Sequence, residues 1–288
     1  MSSNLQGAMW IVVGTLLFSL NDAAVKRLGR AISPEEITFV RFVLGAVLLT
    51  PVFVRMGWQR LKTDRLGTHV LRACIASVAQ FGSYYAIIHM LLASVTAIGF
   101  SRPLFQTCLA LWLLKEAVSG KRWGATAVGF LGVLIMIRPG AGTFEPASLV
   151  AIAATVLFAL TIILIRQLSR TEPTPRILFY YHLVSAAIFA GPAIHAWVTP
   201  DETQAVLLFC VGALTTAAMW CFVKGYSLGE TSFIGPIEYV RLVYAALIGY
   251  FIFAELPDAW TWAGAGIIVA ATLYLARVES TRPRAVAA

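Results

Sequence analysis

Ten long apolar runs constrain the fold of this chain more than any other feature of its sequence. Each run contains about 17 or more mostly apolar residues, enough for a helix to cross a hydrocarbon core of roughly 30 Å. The runs centre on residues 8–28, 37–54, 70–91, 94–114, 123–137, 149–165, 177–198, 205–223, 232–254 and 260–276. They are continuous rather than alternating, which indicates helices and argues against an outer-membrane barrel. The connections between them are too short to hold a soluble domain.

The composition agrees with an all-α integral membrane protein. The 288 residues are 59% hydrophobic and 12% charged, with a mean hydropathy of +0.80, whereas soluble domains have about 45–50% apolar and about 25% charged residues. The amino terminus, MSSNLQGAMW, has neither a basic segment nor a cleavage site, so we expect the first run to remain as a span. The four cysteines lie scattered in apolar runs without metal-ligand spacing, and we predict no metal and no bound cofactor.

Basic residues are distributed unequally between the two sets of connections. With a cytoplasmic amino terminus, the cytoplasmic connections and the tail hold fifteen Lys and Arg residues, and the opposite connections hold four. This asymmetry predicts a multi-pass protein of the bacterial inner (cytoplasmic) membrane with both termini cytoplasmic. The net charge of +8 is explained by contact with anionic lipid headgroups. The predicted partners are therefore the lipid bilayer and a small-molecule substrate, with no nucleic acid, and the sequence carries no signal for an oligomeric state.

The chain matches itself at an offset of about 140 residues. The segment LLFSLNDAAVKRLGRAISPEEITF at 16–39 lies over VLFALTIILIRQLSRTEPTPRILF at 156–179, which pairs Phe18 with Phe158. At an offset of 139, further residues align in pairs: Arg102 with Arg241, Glu116 with Glu255, Trp123 with Trp262, and Arg138 with Arg277. We predict two repeats, residues 1–140 and 141–288, with five spans each. Because an odd number of spans inverts the second copy, the predicted fold is ten transmembrane helices as two inverted five-helix repeats around a central cavity.

Two long segments carry a resemblance to a known family. They are PLFQTCLALWLLKEAVSGKRWGATAVGFLGVLIMIRPG in the first half and ALIGYFIFAELPDAWTWAGAGIIVAATLYLARVE in the second. A glutamate closes the fourth and the ninth span, and a Trp- and Gly-rich segment begins the fifth and the tenth. Over essentially its whole length, the chain resembles the EamA family of the drug/metabolite transporter superfamily. The resemblance implies a substrate cavity lined by spans 1 to 4 and 6 to 9, with spans 5 and 10 as outer supports.

The same resemblance implies a function. The chain is similar to family members that export amino acids, in particular aromatic amino-acid exporters of the YddG type. We therefore expect an inner-membrane secondary transporter that exports aromatic or neutral amino acids, or related small metabolites, by alternating access. Uptake or exchange of a nucleotide-like cofactor such as S-adenosylmethionine or riboflavin is the alternative. The sequence lacks a phosphate-binding loop and the H-E-x-x-H and G-x-S-x-G motifs, which disfavours direct use of ATP and makes a membrane enzyme a distant alternative.

Charged residues deep in the apolar runs are the first candidates for substrate binding. Arg102 and Arg241 lie roughly 12–14 Å into the fourth and ninth spans, near the midplane of the bilayer. Glu238 precedes Arg241 by three residues, a spacing that also allows a simple internal ion pair. In the functional interpretation, a guanidinium binds a substrate carboxylate, while Glu238 or Asp22 binds its ammonium. Asn21 and Asp22 in the first span either belong to this site or lie at a hydrated outer rim.

Aromatic residues away from the membrane interfaces supply the second part of the candidate site. They are Tyr84 and Tyr85 in the third span, Phe100 in the fourth, Tyr180 and Tyr181 in the seventh, Trp220 in the eighth, and Tyr239 and Tyr244 in the ninth. Phe100 and Tyr239 occupy matching positions in the two repeats, shortly before an arginine. Rings around a few polar groups suit an apolar or aromatic side chain on a zwitterionic head group. The alternative for each single ring is ordinary helix packing.

Three further features predict local structure. Arg41 lies close to the outer boundary of the second span, where we expect its side chain to reach water. Pro103 and the Gly-Pro pair at 235–236 predict bends beside the cavity, because proline lacks an amide hydrogen. Glycines in spans 5 and 10, including Gly132 and Gly264, permit close approach of the two helices.

Overall fold

The computed structural model describes residues 3–114, 120–138, 145–168, 171–228 and 235–280, and in these ranges it is all-α. The helices are α1 (Ser3–Leu28), α2 (Pro34–Met56), α3 (Leu66–His89), α4 (Leu92–Gly99), α5 (Arg102–Leu114), α6 (Gly120–Ile137), α7 (Ala147–Leu168), α8 (Thr174–His195), α9 (Glu202–Leu228), α10 (Val240–Phe253) and α11 (Ala259–Ser280). Short 3₁₀ turns cover Trp58–Leu61 and Gly235–Tyr239. The predicted fold class is confirmed.

The helices form ten spans, because two spans are broken. Helices α4 and α5 together make the fourth span, and the 3₁₀ turn Gly235–Tyr239 with α10 makes the ninth. Helices α6 and α11 are the fifth and tenth spans. Five helices, α1, α2, α7, α8 and α9, are long and apolar enough, by length and composition, to cross a membrane.

The start of α2 shows how the sequence sets a helix boundary. Ser33 is the N-cap, and its hydroxyl accepts a hydrogen bond from the amide of Glu36 at 3.2 Å. Pro34 follows at the first helical position, where no amide hydrogen is needed, and two glutamates occupy the positive end of the helix dipole. The last helical residue is Met56, and Gly57 caps the helix. The φ of Gly57 is +81°, a conformation that other residues adopt only with strain.

The packing of the spans follows a two-fold pattern. The first span contacts the eighth, and the sixth contacts the third in the same way. The first also contacts the ninth, as the sixth contacts the fourth, while the second pairs with the seventh and the fifth with the tenth. Exchanging each span with the one five places further on therefore maps these pairs onto one another. This is the pattern expected for two inverted repeats.

Contacts between α1 and α9 show the relative direction of the halves. A Cβ placed on Gly225 would meet Ile11, whereas one on Gly14 would meet Phe222. Further along α1, Asn21 is hydrogen-bonded to Thr215. Rising residue numbers in the first span thus meet falling numbers in the eighth, so the two spans are antiparallel.

The fifth and tenth spans approach closely at two glycines. A Cβ added to Gly132 would lie 2.9 Å from the carbonyl oxygen of Gly264, and one added to Gly264 would lie 2.6 Å from that of Gly132. No side chain fits there, which confirms the predicted close approach at this crossing. By contrast, Gly124 and Gly266 have no atom within 4 Å of such a Cβ.

The breaks in the fourth and ninth spans occur at equivalent places in the two repeats. Helix α4 ends at Gly99 and α5 begins at Arg102, while the ninth span changes from a 3₁₀ turn to α10 after Tyr239. Pro103 lies in the first turn of α5. An amide hydrogen at this position would have no partner within the helix, so proline is tolerated there. The bends predicted from proline are therefore present beside both deep arginines.

The two large apolar clusters lie toward one end of the bundle. We call this the outer end; it carries the connections 29–33, 90–91, 196–201 and 254–258, and the inner end carries 57–65 and 171–173. One cluster joins the ends of the first and third spans and includes Leu28, Ile32 and Ile87. The other joins the third, fifth and tenth spans and includes Met90 and Ile137. Among the described residues, both large clusters therefore lie between the centre and the outer end.

Candidate functional site

An ion pair joins the two repeats in the interior of the bundle. Nη2 of Arg241 in α10 donates to Oδ2 of Asp22 in α1 at 2.6 Å. The carboxylate is almost fully buried and the guanidinium is partly exposed. Because α1 belongs to the first repeat and α10 to the second, this contact is made between the halves. A charged pair in this position is the type of group that marks substrate pathways in membrane proteins.

Polar groups of α1 and α9 extend the ion pair into a network. Nδ2 of Asn21 donates to Oδ1 of Asp22 at 3.3 Å, and the hydroxyl of Thr215 donates to Oδ1 of Asn21 at 3.0 Å. Asn21 is 3% exposed and Asp22 is 7% exposed. These residues therefore lie inside the protein rather than at a hydrated rim. Thr215 was not predicted, because a threonine in an apolar run usually bonds to its own helix, as it also does here.

Two arginines from equivalent positions in the repeats lie over equivalent phenylalanines. The guanidinium of Arg241 is 5.3 Å from the centre of the Phe18 ring, and that of Arg102 is 5.1 Å from the centre of the Phe158 ring. Arg102 is within electrostatic reach of Arg241 and of Glu238. The structure thus brings together the charged residues predicted for the site. The sequence match had paired Phe18 with Phe158 but gave no sign that these rings hold the arginines.

The aromatic residues at the two helix breaks contact one another. The rings of Phe100 and Tyr239 have centres 4.7 Å apart and are inclined at 60°. The carbonyl of Phe100 accepts a hydrogen bond from Thr272 of α11 at 3.3 Å. The two breaks therefore meet near the axis that relates the repeats, and an outer supporting span is bonded to one of them.

The other predicted aromatic residues lie in three different environments. Tyr84 is 1% exposed and lies beside Asn21, within electrostatic reach of Asp22 and Arg41. Tyr85 stacks on His89 with ring centres 4.1 Å apart and packs against the second apolar cluster. Trp220 is 63% exposed on the surface of the bundle, where Lys224 lies 5.7 Å from its ring. The structure brings Tyr84 to the polar network and leaves Tyr85 and Trp220 away from it.

Arg41 is a buried residue that the sequence did not assign to the site. It is 8% exposed, so the expectation that it reaches water is wrong. Its guanidinium lies 4.8 Å from the centre of the Phe42 ring and also lies against Tyr181. The available signal was a single charge inside the apolar run FVRFVLG. Proximity to the membrane boundary was the wrong criterion, because a neighbouring helix covers the side chain.

A second buried ion pair closes the outer end. The ammonium of Lys26 in α1 contacts Oε1 of Glu255 and donates to the carbonyl of Met90. Oε2 of Glu255 accepts a hydrogen bond from the amide of Leu92 at 2.9 Å. We call Lys26 and Glu255 with these two backbone partners the outer latch. Glu116, the repeat equivalent of Glu255, lies outside the described residues.

Two cavities lie at the outer end, away from the central ion pair. One has a volume of about 230 Å³ and is lined by Met90, Ser94, Arg138 and Asp258 among others. The other, of about 310 Å³, lies between the 29–34 connection and the end of α3. Neither is lined by Asp22 or Arg241. In the part of the chain that the structure describes, no three His, Cys, Asp or Glu side chains are grouped as metal ligands.

Known proteins are similar to this chain over nearly its whole length. The S-adenosylmethionine uptake transporter of Rickettsia prowazekii (strain Madrid E) is 32% identical over 271 residues, which cover 94% of this chain and 92% of that protein. The riboflavin transporter of Brucella anthropi is 31% identical over 254 residues, which cover 86% of this chain and 89% of that protein.

A solved structure supports the fold, and a family model supports the family. A crystal structure of a protein with 18% sequence identity covers 97% of this chain and 99% of its own, with a TM-score of 0.63. A model of the EamA-like transporter family matches the chain twice, over residues 5–138 and 146–277. The chain therefore belongs to the EamA-like transporter family, as its sequence motifs indicated.

Proposed function

We propose that this transporter carries a zwitterionic metabolite with a nucleoside group, of the S-adenosylmethionine class, by uptake or exchange across the bacterial inner membrane. The names of two similar proteins, which describe transport of S-adenosylmethionine and of riboflavin, support a nucleotide-like substrate. We also propose that the repeats divide near residue 140, between the two family matches, and that both termini are cytoplasmic.

The observation that carries this proposal is the ion pair between Asp22 and Arg241. It is built from both repeats, and its carboxylate is almost fully buried. An ion pair that changes partners can engage the carboxylate and one cationic group of a substrate, which lowers the cost of desolvating those two charges. Asp22 is the partner for an ammonium or sulfonium group, and a guanidinium is the partner for a carboxylate.

Aromatic rings around the ion pair suit the nucleoside group. Phe18 and Phe158 lie beside the arginines, and Phe100 and Tyr239 contact one another at the helix breaks. Purine rings stack on such side chains in offset or edge-to-face geometry. A flavin ring would stack equally well, but riboflavin has no zwitterionic head group to engage Asp22. The charged pair therefore favours S-adenosylmethionine over riboflavin.

Export of an aromatic amino acid is the second candidate. It follows from the sequence resemblance, and the same ion pair favours it, because an amino acid is also a zwitterion. The two candidates differ in the group that the rings hold, which is an adenosine in one case and an amino-acid side chain in the other.

Access to the site fits alternating access with a closed outer end. The outer latch and both large apolar clusters lie between the ion pair and the outer end. Transport would then require the latch to separate as the repeats move against one another.

Reconstitution tests the proposed substrate directly. Purified protein in liposomes is loaded with unlabelled S-adenosylmethionine, and accumulation of labelled S-adenosylmethionine by counterflow is measured. We expect saturable counterflow that S-adenosylhomocysteine inhibits more strongly than riboflavin or tryptophan. Strong inhibition by tryptophan together with tryptophan counterflow would support the second candidate. Absence of counterflow for S-adenosylmethionine would contradict the proposal.

A further inference from the structure

Arg41 presents a buried cation whose charge is not balanced by a neighbouring carboxylate. Its Nε and Nη1 atoms have no hydrogen-bond partner among the residues that the structure describes. None of the ion pairs formed within the described ranges includes Arg41. The Phe42 ring lies against the guanidinium and the Tyr181 side chain is hydrogen-bonded to it, which fixes its position without neutralising it. A guanidinium buried in this way is a donor for an anion.

Tyr84 offers a second donor in the same region. Its hydroxyl is buried and also has no hydrogen-bond partner within the described part of the chain. Arg41 and Asp22 are both within electrostatic reach of this hydroxyl, and Asn21 lies beside it. The second and third spans therefore bring unused donors next to the carboxylate that we assign to the cationic group of the substrate.

Among the described residues, Arg72, Arg102 and Arg241 each have one buried nitrogen without a hydrogen-bond partner, whereas Arg41 has two. Arg241 is paired with Asp22, and Arg102 is within electrostatic reach of Glu238. Arg72, which also contacts the Tyr181 ring, donates to the carbonyl of Ile177 at 3.4 Å. Arg41 is therefore the deep guanidinium that combines unused nitrogens with a neighbouring unused hydroxyl.

We propose that Arg41 and Tyr84 form the subsite that binds the carboxylate of the transported substrate, beside Asp22. This inference rests on the proposed function for its zwitterionic substrate. Nε or Nη1 of Arg41 can donate to one carboxylate oxygen, and the Tyr84 hydroxyl can donate a second hydrogen bond. The second and third spans would then hold the carboxylate of the substrate, and Asp22 of the first span would hold its cationic group.

The test compares substrates that differ only in the carboxylate. Equilibrium binding of S-adenosylmethionine and of decarboxylated S-adenosylmethionine is measured for the wild type and for Arg41→Gln, Tyr84→Phe and Arg72→Gln. We expect Arg41→Gln to weaken binding of the carboxylated ligand by about tenfold or more and to change binding of the decarboxylated one by less than about twofold. Tyr84→Phe should show a smaller effect of the same selectivity. Arg72 is also buried and also contacts Tyr181, but Arg72→Gln should show no selectivity for the carboxylate.

A second ligand pair separates this inference from the identity of the substrate. Failure of the wild type to bind either adenosyl ligand contradicts the proposed function, and the same series is then measured with tryptophan and tryptamine. Selective loss of the carboxylated member in Arg41→Gln supports the subsite in either pair. Equal loss of both members, or no loss in either pair, would overturn it.

Discussion

The charged residues of the interior are held by partners from the other repeat. Asp22 of the first half pairs with Arg241 of the second, and Phe18 of the first half lies under the same guanidinium. Loss of one member of a buried pair leaves the other charge uncompensated, which costs more than loss of both. The ion pair should therefore contribute to the stability of the contact between the repeats as well as to binding.

A double-mutant cycle measures this contribution. We expect Asp22→Asn and Arg241→Gln each to lower the free energy of unfolding by roughly 1–3 kcal/mol, less than for a fully buried pair because Arg241 is partly exposed. The double variant should lose less than the sum of the two. Thermal unfolding in detergent, with fluorescence detection, gives the values. Strict additivity would mean that the two side chains do not interact.

At the residue scale, the sequence predicted which charges lie deep but not which way each side chain points. Arg102 and Arg241 were identified because ions are rare in apolar runs, while Asp22 was left open between the site and a hydrated outer rim. Trp220 and Arg41 were misplaced, since the face of a span cannot be recognised when both lipid-facing and buried residues are apolar. Trp220 faces outward and Arg41 inward, and only the packing of neighbouring helices determines this.

At the scale of helices and connections, the outer latch joins three parts of the chain. Lys26 belongs to α1 and Glu255 to the connection after α10. Met90 lies in the connection between the third and fourth spans, and Leu92 begins α4 directly after it. The side chains of the latch are largely buried. Separation of the outer end must break these contacts together, so the latch should set how often this end opens.

Removal of one charge from the latch should therefore favour opening. Glu255→Gln keeps an acceptor for the amide of Leu92 but leaves the charge of Lys26 unpaired. A reporter cysteine at Ala24, which is buried in the apolar cluster under the latch, is introduced into a variant without the native cysteines. We expect roughly tenfold faster labelling of this cysteine by a membrane-impermeant thiol reagent in Glu255→Gln.

Asp258→Asn is the matched control for this experiment. Asp258 pairs with Arg138 at the same end, but both side chains are considerably exposed, and exposed pairs contribute little. Its substitution should leave the labelling rate nearly unchanged. Equal rates in Glu255→Gln and Asp258→Asn would show that the latch does not control opening.

The inner connections are held by a different carboxylate. Glu172, between α7 and α8, accepts hydrogen bonds from Thr63 at 2.8 Å and from Arg176 at 2.6 Å. Arg176 also donates to the carbonyl of Arg60 at 2.7 Å. These bonds join the connection after α2 in the first repeat to the start of α8 in the second.

The stability of the protein should depend on the ionisation of Glu172. Burial alone would raise the pKa of this carboxyl, but the hydrogen bonds from Arg176 and Thr63 lower it below its ordinary value of 4.5. A carboxyl whose pKa is lowered in the folded state stabilises the fold at a pH above its ordinary pKa. This stabilisation is lost as the pH falls through the pKa of the folded state. We expect Glu172→Gln to lower the free energy of unfolding at pH 7 by roughly 1 kcal/mol, and therefore to unfold at a lower temperature than the wild type. The difference should shrink in unfolding scans below about pH 4, and a constant difference would contradict this role.

At the scale of the whole molecule, the repeat pattern predicted the architecture and the bilayer restricted it to helices. The matches of Arg102 with Arg241 and of Phe18 with Phe158 predicted two repeats, and the odd number of spans in each predicted their inversion. The two-fold pattern of helix contacts agrees. The hydrogen-bond partners were not predictable, because partners such as Asn21 and Thr215 are distant in sequence and meet only in the folded bundle. The breaks at 100–101 and 239–240 were predicted only as bends.

Movement of charge provides a prediction for the complete transporter. S-adenosylmethionine carries a net positive charge, and a membrane potential of 100 mV is worth about 2.3 kcal/mol per elementary charge. We expect an inside-negative potential, set with potassium and valinomycin, to increase uptake of labelled S-adenosylmethionine into empty proteoliposomes severalfold. Uptake that does not respond to the potential would mean that another ion compensates the charge of the substrate during transport.

The central claim is that an ion pair shared by two inverted repeats binds the substrate. Counterflow of labelled S-adenosylmethionine in proteoliposomes containing the wild type, Asp22→Asn or Trp220→Phe tests it most directly. The account predicts counterflow in the wild type, nearly the same rate in Trp220→Phe, and a loss of about tenfold or more in Asp22→Asn. Wild-type counterflow in folded Asp22→Asn protein would contradict it.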